Sequence, residues 1–154
     1  MASGTENSET SVIIVDEDTT FLKVWKKVFR TMKNFNYYLT NDPQMALTLA
    51  KEHQVDLLIS EVVMMSGNGF SLSEEIHNIN PKADIILTTT YNCDFKRFNL
   101  NDPHFHILYK PYRSIGDVMH FITDILEHKD PREAQDEDSW SENDEFPAVM
   151  EWKL

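Results

Sequence analysis

Apolar residues fall along the chain in two alternating rhythms. Short β-branched runs of strand length recur as SVIIV (11–15), NYYLT (36–40), DLLIS (56–60), ADIILT (83–88) and FHILY (105–109). Between them lie stretches with an apolar period near 3.6 residues, which predicts helices. The first has Phe21, Trp25, Val28, Phe29 and Met32 on one face. The second, NDPQMALTLAKEH, opens with Asp42 as a cap and Pro43 at the first helical position, where a missing N–H leaves no bond unmade. A third follows a Gly-containing loop and centres on FSLSEEIHNI. The last starts at Ser114 and Asp117, a capping-box-like pair, with Ile115, Val118, Met119, Ile122 and Leu126 as its face. YNCDFKRFNLNDPH is the weakest helix candidate, short and broken by Pro103.

Five apolar strands alternating with helices predict βαβ units and an α/β fold. Right-handed crossovers make it a doubly wound, five-stranded parallel sheet with helices on both faces. The folded unit runs over about residues 11–128, after a small, polar stretch at 1–10 that reads as a disordered N-terminus. Residues 129–154 combine dense charge with scattered aromatics and no apolar period, so a disordered acidic tail is expected. Its Trp140, Phe146, Val149, Met150 and Trp152 sit among acids. Such segments also fold into a partner's groove, or dock on their own domain at the sheet end or last helix.

Composition narrows the class. At 154 residues and 41% apolar content the chain builds one core without staples, and its lone Cys93 excludes a disulfide framework. No apolar run approaches the roughly eighteen residues of a membrane span, and the N-terminus has no signal-peptide pattern. A soluble, cytoplasmic protein is expected. Of the net charge of −12, residues 130–154 carry −7, nine acids against Arg132 and Lys153. An acidic chain without a basic stripe argues against nucleic acid or an anionic membrane as a direct partner. Six scattered histidines lack ligand spacing, and neither a Gly-rich phosphate loop nor a serine–histidine–acid set is present.

Sites in doubly wound sheets lie at the carboxyl ends of the strands. There the chain places Asp16, Glu17 and Asp18 after the first strand, Glu61 at the third, Thr88–Thr90 at the fourth and Lys110-Pro111 at the fifth. Clustered carboxylates hold a hard divalent cation through oxygen. A cation, a hydroxyl and a lysine together neutralise the oxygens of a phosphoryl group passed to a carboxylate.

Over about residues 11–128 the strings IIVDED, DLLISEVVMMSGNGF, IILTTTY and LYKPY resemble the receiver domain of two-component response regulators. The resemblance implies a flavodoxin-like receiver fold. It implies a magnesium site from the acidic pair after the first strand and an aspartate ending the third, which accepts phosphate from a histidine kinase. It also implies a hydroxyl and a lysine on the phosphoryl oxygens, and a cis bond before Pro111. By position the metal ligands fall on Asp16, Glu17 and Glu61, the acceptor on Glu61 and the lysine on Lys110. The hydroxyl falls on Thr89 counting 28 residues from Glu61, or on Thr88 counting 22 before Lys110. Met64 and Gly69 take the methionine and glycine places of the acceptor loop.

Departures from the family pattern decide what to expect. The acceptor is Glu61, whose extra methylene shifts the carboxylate by roughly 1.5 Å, where misplacement by about 1 Å can cost ~100-fold in rate. Glu17 stands where aspartate is usual, and magnesium tolerates poor geometry badly, so its site is expected to be weak or absent. Met65 replaces a proline, and Ile107 replaces the aromatic three residues before the lysine. The expectation is therefore a stand-alone pseudo-receiver, independent of phosphorylation, a monomer or weak dimer acting on a histidine kinase or downstream effector. By resemblance its target face is the fourth helix, fifth strand and last helix. Glu61 reads either as leftover scaffolding paired with Lys110 or as a built-in mimic of phosphate. The alternative is an active magnesium-dependent phosphoacceptor with autophosphatase activity, using Asp16 or a rearranged Glu61. A small-molecule binder on the same scaffold has no motif behind it.

Overall fold

The computed structural model of the chain describes residues 9–90, Phe95 and 102–127. In chain order the elements are β1 (Thr10–Val15), α1 (Thr19–Thr31), β2 (Phe35–Thr40), α2 (Pro43–Glu52) and β3 (Leu57–Glu61). After these come β4 (Val63–Met64), β5 (Gly67–Asn68), α3 (Gly69–Ile79), β6 (Asp84–Thr89), β7 (Phe105–Tyr109) and α4 (Ile115–Leu126). The main sheet has the order β2-β1-β3-β6-β7 with every neighbouring pair parallel. This is the doubly wound, five-stranded sheet that the apolar pattern predicts. The chain steps outward from β1 to β2, then returns past β1 to β3. The carboxyl ends of β1 and β3 therefore open at the switch in strand order.

The caps that the pattern predicts at Asp42 and Ser114 are in place, and Asp18 and Asn68 cap α1 and α3 in the same way. Asp18, Asp42 and Asn68 accept hydrogen bonds from the amides of Thr20, Gln44 and Phe70 at 2.9, 2.9 and 2.7 Å. Ser114 accepts from the Asp117 amide at 3.0 Å, which starts α4. Strand alternation then sorts the apolar residues into two cores. Val12, Ile14, Leu57, Ile59 and Ile86 meet Trp25, Phe29 and Ile122 on the α1/α4 face. Ile13, Val15, Leu58, Ile85 and Leu87 meet Ala46, Leu72 and Ile76 on the α2/α3 face. Burying each large side chain contributes roughly 1.5–3 kcal/mol, which is why the central strands are apolar on both faces.

Several details differ from the expectation. β3 runs one residue further than DLLIS and takes Glu61 into the strand, and β1 begins at Thr10. α4 buries Ile125, with Ile115, Met119 and Leu126 only partly covered. That helix is apolar around much of its circumference, so its period alone does not choose the inward face. The loop after β3 contains the β4–β5 hairpin, which at two residues per strand leaves no periodic trace. The premise of an absent basic stripe does not hold at α1. Lys23, Lys26 and Arg30 are exposed along it, Lys27 is half-buried, Lys33 follows, and no acid occurs from Thr19 to Asn41. Among the described residues no helix is long and apolar enough to cross a membrane. Residues 1–8, Cys93 and most of the weak fourth-helix candidate, and the acidic tail, lie outside the described residues.

Candidate functional site

Alternation along three strands brings the key charges to one face. Ile14 leads to Asp16, Ile59 to Glu61 and Leu108 to Lys110, two residues on in each case, so all three follow the α1/α4 core. There the Lys110 ammonium donates to Asp16 Oδ2 at 2.5 Å and to Glu61 Oε2. Its Nζ also lies 3.9 Å from the centre of the Phe21 ring on α1. Asp16, Glu61 and Lys110 are 2%, 8% and 8% exposed, so this is a buried ionic cluster rather than a solvated rim.

Its electrostatics follow from one cation serving two anions. Burial pushes the Asp16 carboxyl above the usual carboxylate range, and Lys110 pulls it only part of the way back. Burial likewise raises Glu61, where the Asp16 charge adds to the effect and Lys110 again opposes it. Tyr112, packed edge-on to Phe21 and Trp25, seals the cluster from below. Burial first, then the Asp16 charge, raises its hydroxyl above the ordinary tyrosine value.

The three consecutive acids after β1 have three separate tasks. Asp16 holds Lys110 and accepts the Asp18 amide at 2.9 Å, while Asp18 caps α1. Glu17 crosses to the loop after β3. Its two oxygens accept the Met65 amide at 2.7 Å and the Ser66 amide and hydroxyl at 2.9 and 2.8 Å. Those backbone donors hold its carboxyl below the usual range. The expected meeting of Asp16, Glu17 and Glu61 at one point is thus not how the side chains lie. Asp16 and Glu61 converge on Lys110, and Glu17 is a loop latch. Among the described residues no three His, Cys, Asp or Glu side chains are grouped to hold a metal. A divalent cation between Asp16 and Glu61 would face the ammonium already there. As arranged, the residues do not fit magnesium.

The remaining expected positions are placed as follows. Thr88 pairs with Glu61 in register and shares its sheet face, with its side chain near the Tyr112 hydroxyl. Thr89 is fully buried and falls in the opposite alternation set, that of Ile85, Leu87 and Ile107. Thr89 and Ile107, the position of the missing aromatic, therefore share a face. Met64 is buried while Met65 is fully exposed. Gly69 allows the closest approach in the loop: a Cβ there would sit 2.2 Å from the Glu61 carbonyl oxygen and 2.9 Å from Val62 Cα. Its own amide bonds the Val62 carbonyl at 2.9 Å. The Lys110–Pro111 bond is cis. His104 Nδ1 lies 3.0 Å from Asp84 Oδ1, whereas His106 meets Phe121 edge-on.

Comparison with known proteins matches residues 12–122 to the response regulator receiver domain. The chain belongs to the receiver family. Among curated proteins it is 26% identical over 81 residues to the transcriptional regulatory protein ZraR of Escherichia coli, 53% of this chain and 18% of that protein. The chain thus spans under a fifth of the length of the curated relative it matches. Solved structures share the fold. The signal receiver domain of an HD domain-containing protein from Pseudomonas fluorescens has a TM-score of 0.71 at 22% identity, over 90% of this chain and all of that one. A CheY-like receiver domain from Methanospirillum hungatei has 0.70 at 21%, over 85% of this chain and all of that one. Residues 12–122 are therefore a receiver domain of the two-component signalling type.

Sequence reasoning missed two members of the site. Phe21 and Tyr112 both line the ionic cluster, yet Phe21 reads as one of the apolar residues of a helix face and Tyr112 stands in LYKPY without a role of its own. A signal for both lay in their nearness to charge, five residues after Asp16 and two after Lys110.

Proposed function

We propose that this receiver signals by protein contact without taking up phosphate, as a module whose acceptor rim is locked by its own side chains. The observation that carries the reading is the Lys110 ammonium seated between Asp16 and Glu61. A phosphoryl acceptor needs a free carboxylate oxygen in line with the donor. Here an oxygen of Glu61 is the acceptor of a buried ammonium, on a side chain one carbon longer than the family's aspartate. The charge that a cation would supply is supplied by Lys110, and Glu17, the second acid of the pair, is committed to the loop. Glu61 takes up in permanent form part of what a phosphoryl group does, drawing Lys110 toward the end of β3. The partner is a protein, either a histidine kinase held out of circulation or a downstream effector.

Incubation of the full chain with magnesium and a small phosphodonor, followed by intact mass, tests this directly. The expected spectrum contains only the unmodified mass. A stoichiometric species heavier by one phosphoryl group, absent in Glu61→Gln, contradicts it and identifies an active phosphoacceptor.

A further inference from the structure

The outer side of α1 and the chain's own acidic segment are complementary in charge, in reach and in apolar content. α1 carries Lys23, Lys26 and Arg30 in the open, with Lys33 one turn on, in a stretch of 23 residues without an acid. That concentrates three exposed cations on one helix and a fourth just past its end, in a chain with a net charge of −12. Where α4 borders α1, apolar surface is left uncovered. Ile115, Met119 and Leu126 of α4 are only partly buried, and Thr31 Oγ1 of α1 meets Met119 Sδ at 3.7 Å. The seam therefore has a cationic border on α1, while α4 carries Asp117, Asp124 and Glu127. An acidic ligand lying along the seam is steered toward α1 by both borders.

We propose that residues 130–154 of this chain are the ligand of that surface, with the acids on the Lys23–Arg30 row and Trp140, Phe146 or Trp152 set into the seam. The tail holds nine acids against two bases, and its aromatics are what an apolar seam accepts. Topology supplies the proximity. α1 and α4 each start at the carboxyl end of a parallel strand and pack on the same sheet face, so both end at the opposite edge. α4 ends at that edge, as α1 does just after Arg30. At about 3.3 Å per extended residue its reach exceeds 50 Å, against roughly 20 Å for the length of α1. A tether of this kind gives an effective concentration near ~1 mM, so contacts too weak to measure between separate molecules suffice.

Zero-length carbodiimide cross-linking of the full chain, read by mass spectrometry with isotope-mixed protein, is the test. The expected links join acids of 130–151 to Lys23, Lys26 or Lys33 within one molecule, several-fold more often than to Lys51 on α2 or Lys82 in the turn after α3. They fall away at about 0.5 M salt, where screening shortens to a few ångströms. The charge reversal Lys23→Glu, Lys26→Glu, Arg30→Glu touches only exposed side chains. It is expected to abolish the links and to speed hydrogen exchange of the tail amides several-fold, with Trp25 fluorescence unchanged. Equal linkage to Lys51 and Lys82, or links only between copies, overturns the proposal. So does binding of α1 to phosphatidylserine vesicles with no tail links in their absence.

Discussion

Lys110 donates to Glu61 from 49 positions along the chain, and Asp16 takes a second bond from the same ammonium. The three groups close the carboxyl ends of β1, β3 and β7 into one buried cluster. A single cation serves two carboxylates that burial would otherwise leave uncompensated. That relationship makes the cluster sensitive to loss of the cation, to pH and to the loop that frames it.

Removing the cation leaves both anions buried. Lys110→Met is expected to cost about 3–5 kcal/mol at neutral pH, the usual penalty of breaking a buried pair from one side. The loss shrinks as acid protonates Asp16 and Glu61. Urea unfolding at neutral pH and near pH 5 measures both; an equal loss at the two values contradicts the account.

The pH dependence has a definite sign. Asp16 and Glu61 titrate above their ordinary values of 3.8 and 4.5, so the folded chain binds protons that the unfolded chain has released. Their contribution to stability is fully present below those ordinary values and is lost as pH rises through the raised ones. Glu61→Gln removes one of the two groups. Its stability relative to the native sequence is expected to improve as pH rises from 4.5 toward neutrality. A difference that stays flat over that range, or runs the other way, rejects the assignment.

Glu17 behaves in the opposite sense. Its carboxyl is held low by the Met65 and Ser66 donors, so the stability it brings is present above 4.5 and is lost as pH falls through its lowered value. Because the group is partly exposed, Glu17→Gln is expected to cost at most about 1 kcal/mol overall. Its effect is local: amide exchange at Met65 and Ser66 rises several-fold, while Ile59 and Ile86 in the sheet are unchanged.

Gly69 tests how closely the loop must pass behind the acceptor. A methyl group there meets backbone at 2.2 and 2.9 Å. Gly69→Ala is expected to destabilise by roughly 1–3 kcal/mol, the range for overpacking. The shifted loop also moves the Glu61 amide resonance. An alanine variant as stable as the parent, with that resonance in place, contradicts the stated contact.

The sheet was legible because its central strands are buried on both faces, and SVIIV, DLLIS and IILT are short runs with no other use for so many consecutive apolar residues. Caps at Asp42 and Ser114 were equally plain, since both side chains supply an acceptor for a helix amide that has no carbonyl partner. The strand-end rule located Asp16, Glu61 and Lys110 as neighbours. It left open where their side chains turn. A count of residues places Glu17 at the rim; only its two available backbone donors, on a loop 48 positions away, show that it faces Met65 instead. Phe21 and Tyr112 were hidden by their hydrophobicity. The different surroundings of Thr88 and Thr89 required the pleat, which sets Thr88 on the face of Glu61 and Thr89 with Ile107. The cationic row of α1 was present in the sequence all along, masked by an overall charge of the opposite sign.

Magnesium titration of the isotope-labelled chain, followed by amide chemical shifts of Asp16, Val62 and Lys110, bears most directly on the cluster. With the Lys110 ammonium as the resident cation, those resonances stay in place through the millimolar range. A saturable shift centred on Asp16 and Val62 would show that a metal ion displaces the lysine, and the rim would then be open to phosphoryl chemistry.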